Sequence, residues 1–128
     1  KVRETVGMSE DGKTVYSKCM WDTVVAISTD APSKAMRRGC DEARGYEVRW
    51  ASHAGFGYEH NPAMPLEKDG VLWVSTKNGL LLGMDAKTGK VLWRHKIGNS
   101  ILNTPLPLSG KECIFTSSEG TVTRIRVR

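Results

Sequence analysis

The sequence predicts an all-β fold, a partial β-propeller of about two and three-quarter four-stranded antiparallel blades. Three observations predict it. A strand–turn–strand–turn–strand pattern runs from Gly70 to Lys96. Its first two strands return 40 positions later, counted from Gly70 to Gly110 and running on to Val127. A shared Asn-x-x-(Met/Leu)-Pro-Leu element precedes both copies, at Asn61 to Leu66 and at Asn103 to Leu108.

The first copy, residues 1–50, is degenerate. Lys1 to Met8 reads as its inner strand, Lys13 to Lys18 as the next, and Thr23 to Ser28 as the return. Cys19 to Asp22 replaces the tight turn. A charged stretch carrying Pro32 and Gly39 follows, so residues 29–45 read as an inserted surface loop with one helical turn around Lys34 to Arg38. Tyr46 to Trp50 closes the blade.

The middle copy, residues 61–96, is a full blade. Val71 to Thr76 is a β-rich run closed by Asn78-Gly79, a strong hairpin signal because the turn needs positive φ. Strands are expected at 71–76, 80–85 and 90–95, with Ala86 to Gly89 as the second turn. Pro65 and Pro107 each lack a backbone donor and suit an innermost strand, whose one edge faces the channel. The last copy, 103–127, has three strands, two of them expected at 112–117 and 121–127. Arg124, Arg126 and Arg128 alternate along the last one, which discourages pairing at an open edge. Residues 1–128 thus read as a single domain.

Apolar residues make up 39% and charged residues 26% of the chain, an ordinary globular balance. No apolar run reaches the ~18 residues that span a bilayer. The start, Lys1-Val2-Arg3-Glu4, has neither an initiator Met nor an apolar signal core, so a piece of a longer protein is expected. The net charge of +5 comes without an aromatic ladder, so nucleic acid is not an expected partner. Cys19, Cys40 and Cys113 form no C-x-x-C pair and match no zinc spacing. At most one disulfide can form, and whether it joins Cys19 to Cys40 stays open. Cys113 sits in an apolar run and reads as a small core residue.

The run Asp85-Ala-Lys-Thr-Gly-Lys-Val-Leu-Trp93 resembles the signature of pyrroloquinoline-quinone-type (PQQ-type) propeller repeats. The resemblance implies that the Ala-x-x-Gly turn joins the third and fourth strands and that the tryptophan packs between blades. Trp50, Trp73, Trp93, Gly79 and Gly89 are then structural. Such repeats occur in bacterial quinoprotein dehydrogenases and in the lipoprotein scaffold of outer-membrane protein assembly. They also occur in secreted proteins that join a metallophosphoesterase domain to a propeller, and Tyr58 to Pro62 and Gly98 to Thr104 are most similar to this last group. The resemblance implies a periplasmic or secreted bacterial location. A closed ring needs at least about four blades, so the C-terminal part of a larger propeller is expected.

Ligands of propellers sit at the channel mouth, near loops entering the inner strands. Here those loops are expected at His53 to His60 and Gly98 to Asn103. They place His53, Tyr58, His60, Asn61, Asn99 and Asn103 as a polar cluster for a ligand, although asparagines there also cap local backbone. His53, Glu59 and His60 have no fixed ligand spacing, so no metal site is assigned. His95, beside Lys96, reads as surface. Quinoprotein enzymes use adjacent cysteines under the cofactor, which this sequence lacks. No cofactor is therefore expected, and PQQ with calcium enters only if the parent is a true quinoprotein. The metallophosphoesterase Asp-x-His and Gly-Asn-His runs are absent, as is a Gly-x-Ser-x-Gly elbow, so no catalytic residue is assigned. The expected function is a non-catalytic binding or interaction scaffold of the bacterial envelope. Its expected partners are a protein or small polar ligand at the propeller face, and further blades of the parent or a second copy of the chain. The alternative is a fragment of a quinoprotein dehydrogenase or propeller-linked phosphoesterase, catalytic elsewhere.

Overall fold

A computed structural model describes residues 5–19, 21–36, 44–58 and 61–128. Among these residues the regular structure is all strand. The first sheet holds β1 (Gly7–Met8), β2 (Thr14–Cys19), β3 (Trp21–Met36) and β4 (Arg44–Tyr58). The second holds β5 (Leu66–Lys68), β6 (Val71–Ser75), β7 (Leu80–Asp85) and β8 (Val91–Lys96). The third holds β9 (Leu106–Pro107), β10 (Glu112–Thr116) and β11 (Val122–Arg126). Each sheet is an antiparallel meander in sequence order, which makes the chain a partial all-β propeller. The first strands are innermost, with β5 contacting both β1 and β9. In such meanders the β1–β2 and β3–β4 turns share one end, and the β2–β3 turn and the β4–β5 connection share the other.

The central strands β6 and β7 of the second sheet are buried on both faces, since successive side chains of a strand point to opposite sides. Leu72, Val74, Leu82 and Met84 face the first sheet, where they pack with Tyr16, Val24, Ala26, Ala54 and Phe56. Trp73 and Leu81 face the third sheet, where they pack with Leu102, Cys113 and Phe115. Gly83 pairs with Trp73 on one side and Trp93 on the other. A Cβ at Gly83 would overlap the Trp93 indole. Its absence lets the two indoles meet edge to face, centroids 4.8 Å apart, within the preferred aromatic range.

The first two blades join through a tryptophan and a turn. Trp50 Nε1 donates to Ala86 O at 3.0 Å, and the indole lies against Gly89. Gly89 has φ +77°, so it is both left-handed and too close to the ring for a side chain. The rows Tyr16–Ala26–Trp50 and Trp73–Gly83–Trp93 occupy matching ladder positions, so Trp50 and Trp93 are equivalents.

Four expectations are corrected. Residues 29–45 are not a loop, since β3 continues through Met36 and β4 starts at Arg44. No helical turn forms over Lys34 to Met36, and Arg37 and Arg38 lie outside the described residues. The ladder keeps Pro32 opposite Tyr46 and Met36 opposite Arg44 through register shifts. Backbone pairing carries this ribbon without any apolar alternation for a sequence pattern to show. Second, the inner strands start at Leu66 and Leu106, not at Asn61 and Asn103. Third, His53 and Tyr58 belong to the outer strand β4, not to a loop. Gly55 and Gly57, both at positive φ, made that stretch read as loop, but they are accommodated within the strand. Fourth, the repeat of the last blade is offset by one. Ala86 N bonds Gly70 O and Val127 N bonds Lys111 O, so Lys111, not Gly110, is the equivalent of Gly70.

Candidate functional site

The connections into the inner strands converge as their sequence position requires. Asn61 and Asn103, with Pro62, Ala63 and Thr104, surround a shallow cleft of about 250 Å³. Asn61 is buried and spans two blades, its Nδ2 donating to Leu102 O at 2.6 Å and its Oδ1 accepting from Ala63 N at 3.1 Å. Thr104 Oγ1 accepts from Met64 N at 3.0 Å, and Asn103 Nδ2 donates to Thr116 Oγ1 at 2.7 Å. Asn61 therefore organises backbone at a blade junction, while Asn103 ties the entry to β9 to the end of β10 in its own blade.

Lys18, on β2, is fully buried beneath this cleft and donates from Nζ to Asn61 O at 2.8 Å and Ser75 O at 2.9 Å. Sequence reasoning missed it. The available signal was a lysine at the ladder position that Ser75 holds in the next blade.

The other expected residues lie elsewhere. His53 Nδ1 is 3.2 Å from Thr23 Oγ1 on the neighbouring strand. Tyr58 packs at a tilt against Trp21, centroids 4.8 Å apart. Asn99 is exposed and is not part of the cleft wall. His60 lies outside the described residues. Of the five that are described, Asn61 and Asn103 share the cleft.

The opposite end of the first two blades carries a wider cleft of about 530 Å³, with Tyr16, Arg49, Glu67, Asp69, Asp85 and Lys87 in its walls. Its carboxylates are also structural. Tyr16 Oη donates to Glu67 Oε1 at 3.3 Å, and Glu67 Oε2 accepts Glu10 N at 2.8 Å. Glu10 Oε1 accepts Asp69 N at 2.6 Å, and Asp69 Oδ2 accepts Gly110 N at 3.1 Å. The series crosses all three blades. Burial, with the Glu67 charge beside it, pushes the Tyr16 phenol above its ordinary range. The Ser9 hydroxyl and Lys13 N–H hold the Asp11 carboxyl below its ordinary range.

The family described as "Outer membrane protein assembly factor BamB", a PQQ-type repeat family, matches residues 38–128. The chain belongs to this family. A lanthanide-dependent methanol dehydrogenase of Methylacidiphilum fumariolicum (strain SolV) is 32% identical over 72 residues, which cover 56% of this chain and 11% of that protein. BamB from Moraxella catarrhalis superposes with TM-score 0.68 at 17% identity, covering 98% of this chain and 34% of that one. A europium-containing methanol dehydrogenase superposes with TM-score 0.65 at 17% identity, covering 99% of this chain and 24% of that one. The chain thus spans about a third or less of these relatives. At such identities the structural likenesses show the propeller fold.

A quinone cofactor needs a flat seat and groups for its carboxylates. Trp73 is wholly buried between sheets, and Trp93 lies over Gly83 against it. Cys19 and Cys113 are free thiols on different blades. The walls of the inner cleft are Asn, Pro, Ala and Thr. Trp73, Trp93 and the walls of the inner cleft thus offer the quinone no such seat.

Proposed function

We propose that the chain is a non-catalytic PQQ-like propeller module that acts as a binding or interaction scaffold in the bacterial envelope. The supporting observation is how its convergent polar groups are used. Asn61, Thr104, Lys18, Glu10 and Asp69 each bond backbone of a neighbouring blade, so they fix the face and leave surface shape for recognition. Membership in a family described by an outer-membrane assembly factor supports the same reading and a periplasmic setting. A protein partner at the propeller face follows from it. The described helix-free residues include no helix long and apolar enough to cross a membrane.

The identity to a methanol dehydrogenase favours a second reading, a quinoprotein fragment whose catalytic residues lie elsewhere. Titration of the full-length parent with PQQ plus calcium or a lanthanide separates the two. The scaffold reading expects no quinone absorbance on the protein at micromolar cofactor. Stoichiometric quinone binding would overturn it.

A further inference from the structure

We propose that Asn78 is a site of self-modification, converting through a cyclic imide to aspartate and isoaspartate, with the Lys96 ammonium promoting the first step. The proposal goes beyond the scaffold reading and does not depend on it.

The reaction needs an accessible side-chain amide and a following backbone nitrogen able to attack it. Asn78 is exposed, and among the described residues its side-chain amide makes no hydrogen bond. The next residue, Gly79, has no Cβ to obstruct ring closure. Its N–H also differs from those of other turn glycines. Gly12 N donates to Ser9 O at 3.0 Å, Gly89 N to Asp85 O at 2.8 Å and Gly120 N to Ser117 O at 3.0 Å. Gly79 N donates no such bond among the described residues, and Thr76 O, at the start of its turn, accepts Leu102 N at 3.1 Å.

Lys96 supplies the second element. It stands opposite Leu80 across β7 and β8, and its Nζ donates to Asn78 O. That oxygen belongs to the peptide group that contains Gly79 N. A cation there stabilises the negative charge the group acquires when base removes the N–H proton, which makes the nitrogen a better nucleophile. The nitrogen then bonds to Asn78 Cγ, and the side-chain nitrogen takes a proton from solvent and leaves as ammonia. Water opens the imide at Cγ to give aspartate, or at the main-chain carbonyl to give isoaspartate.

The two products differ in fit. Isoaspartate adds a methylene to the main chain of a turn without slack, since Gly79 O accepts Ile97 N at 2.8 Å and a Cβ on Gly79 would lie 2.3 Å from Gly98 O. Aspartate keeps the chain length. The other asparagines are placed against the reaction. Asn61 is buried and precedes Pro62, whose nitrogen carries no proton. Asn103 Nδ2 is bonded to Thr116 Oγ1 and precedes the β-branched Thr104. Asn99 is exposed, but its follower Ser100 carries a Cβ.

The test is peptide mapping by mass spectrometry of the full-length parent, incubated folded at mildly alkaline pH. Asn78 should convert at least about tenfold faster than Asn99. Lys96→Met should slow Asn78 by about threefold or more, and Lys96→Arg, which keeps a cation, by less. Because Lys96 is exposed, both variants should keep the wild-type circular dichroism spectrum. In urea, where the Lys96 contact is lost, all three proteins should convert alike. Aged protein carrying isoaspartate should unfold at lower urea than Asn78→Asp. Asn78 left intact while Asn99 converts, or conversion only in urea, would overturn the proposal. So would a folded Lys96→Met protein that converts at the wild-type rate.

Discussion

The joint between Trp50 and the Ala86–Gly89 turn is tested most sharply by a double-mutant cycle. Trp50→Ala removes a half-buried indole and its bond to Ala86 O. A fully buried Trp costs about 3–5 kcal/mol on truncation and a neutral hydrogen bond about 1, so about 3 kcal/mol is expected here. Gly89→Ala puts a side chain at φ +77°, worth about 1–2 kcal/mol. It also drives a Cβ into the Trp50 indole, adding about 1–3 kcal/mol of overpacking. The single cost is about 3 kcal/mol. With the indole already gone the overlap disappears, and Gly89→Ala retains only its backbone cost. The double variant should then be destabilised by about 1.5 kcal/mol less than the sum of the two single costs. Urea unfolding followed by circular dichroism, with the slope m checked for constancy, measures all four corners. Additivity within about 0.5 kcal/mol would refute the claim that the ring and the glycine touch.

Gly83→Ala should cost about 1–3 kcal/mol, because its Cβ meets the Trp93 indole. Separation of Trp73 from Trp93 should remove their coupled near-ultraviolet signal, and an unchanged spectrum would count against the contact. Arg124 lies 2.6 Å from Glu112 Oε2 and holds its carboxyl below the ordinary glutamate value. The folded value being the lower, this stabilisation is present above the unfolded value, about 4.3, and is lost as pH falls through the folded one. NMR titration should show the Glu112 midpoint rising in Arg124→Ala, and a midpoint that does not move would sink the assignment. Burial pushes the Cys113 thiol up to about 12, with a backbone contact at Leu106 opposing. Cys19, half-buried, should therefore react with a thiol reagent in the native protein well before Cys113, which should react only on unfolding. Equal rates would show that the third sheet opens.

The alternating arginines of β11 show how one sequence pattern has a second use. Arg126 stands directly opposite Glu112, and Arg124 two positions back on the same strand, and both guanidiniums reach that one carboxylate. The alternation was legible in the sequence, but the cross-strand partner depended on register.

The sequence by itself determined the elements that depend on neighbouring residues. Asn78-Gly79 set a hairpin, and the runs around Trp73 and Leu82 set strands buried on both faces. Asp85 to Trp93 set the turn that receives Trp50. These signals are local, so β6, β7, β8, β10 and β11 lie within one residue of their expected bounds. Tertiary structure alone decided what depends on how blades pack. It extended β3 and β4 into a ribbon where residues 29–45 read as a loop, and drew His53 and Tyr58 into β4, away from the asparagines. It also buried Lys18 against two carbonyls of the next blade and turned Trp21 outward. A side chain's period places it on a face of its own sheet. What that face meets is set by the twist and spacing of a neighbouring sheet forty to sixty positions away, which no local pattern encodes.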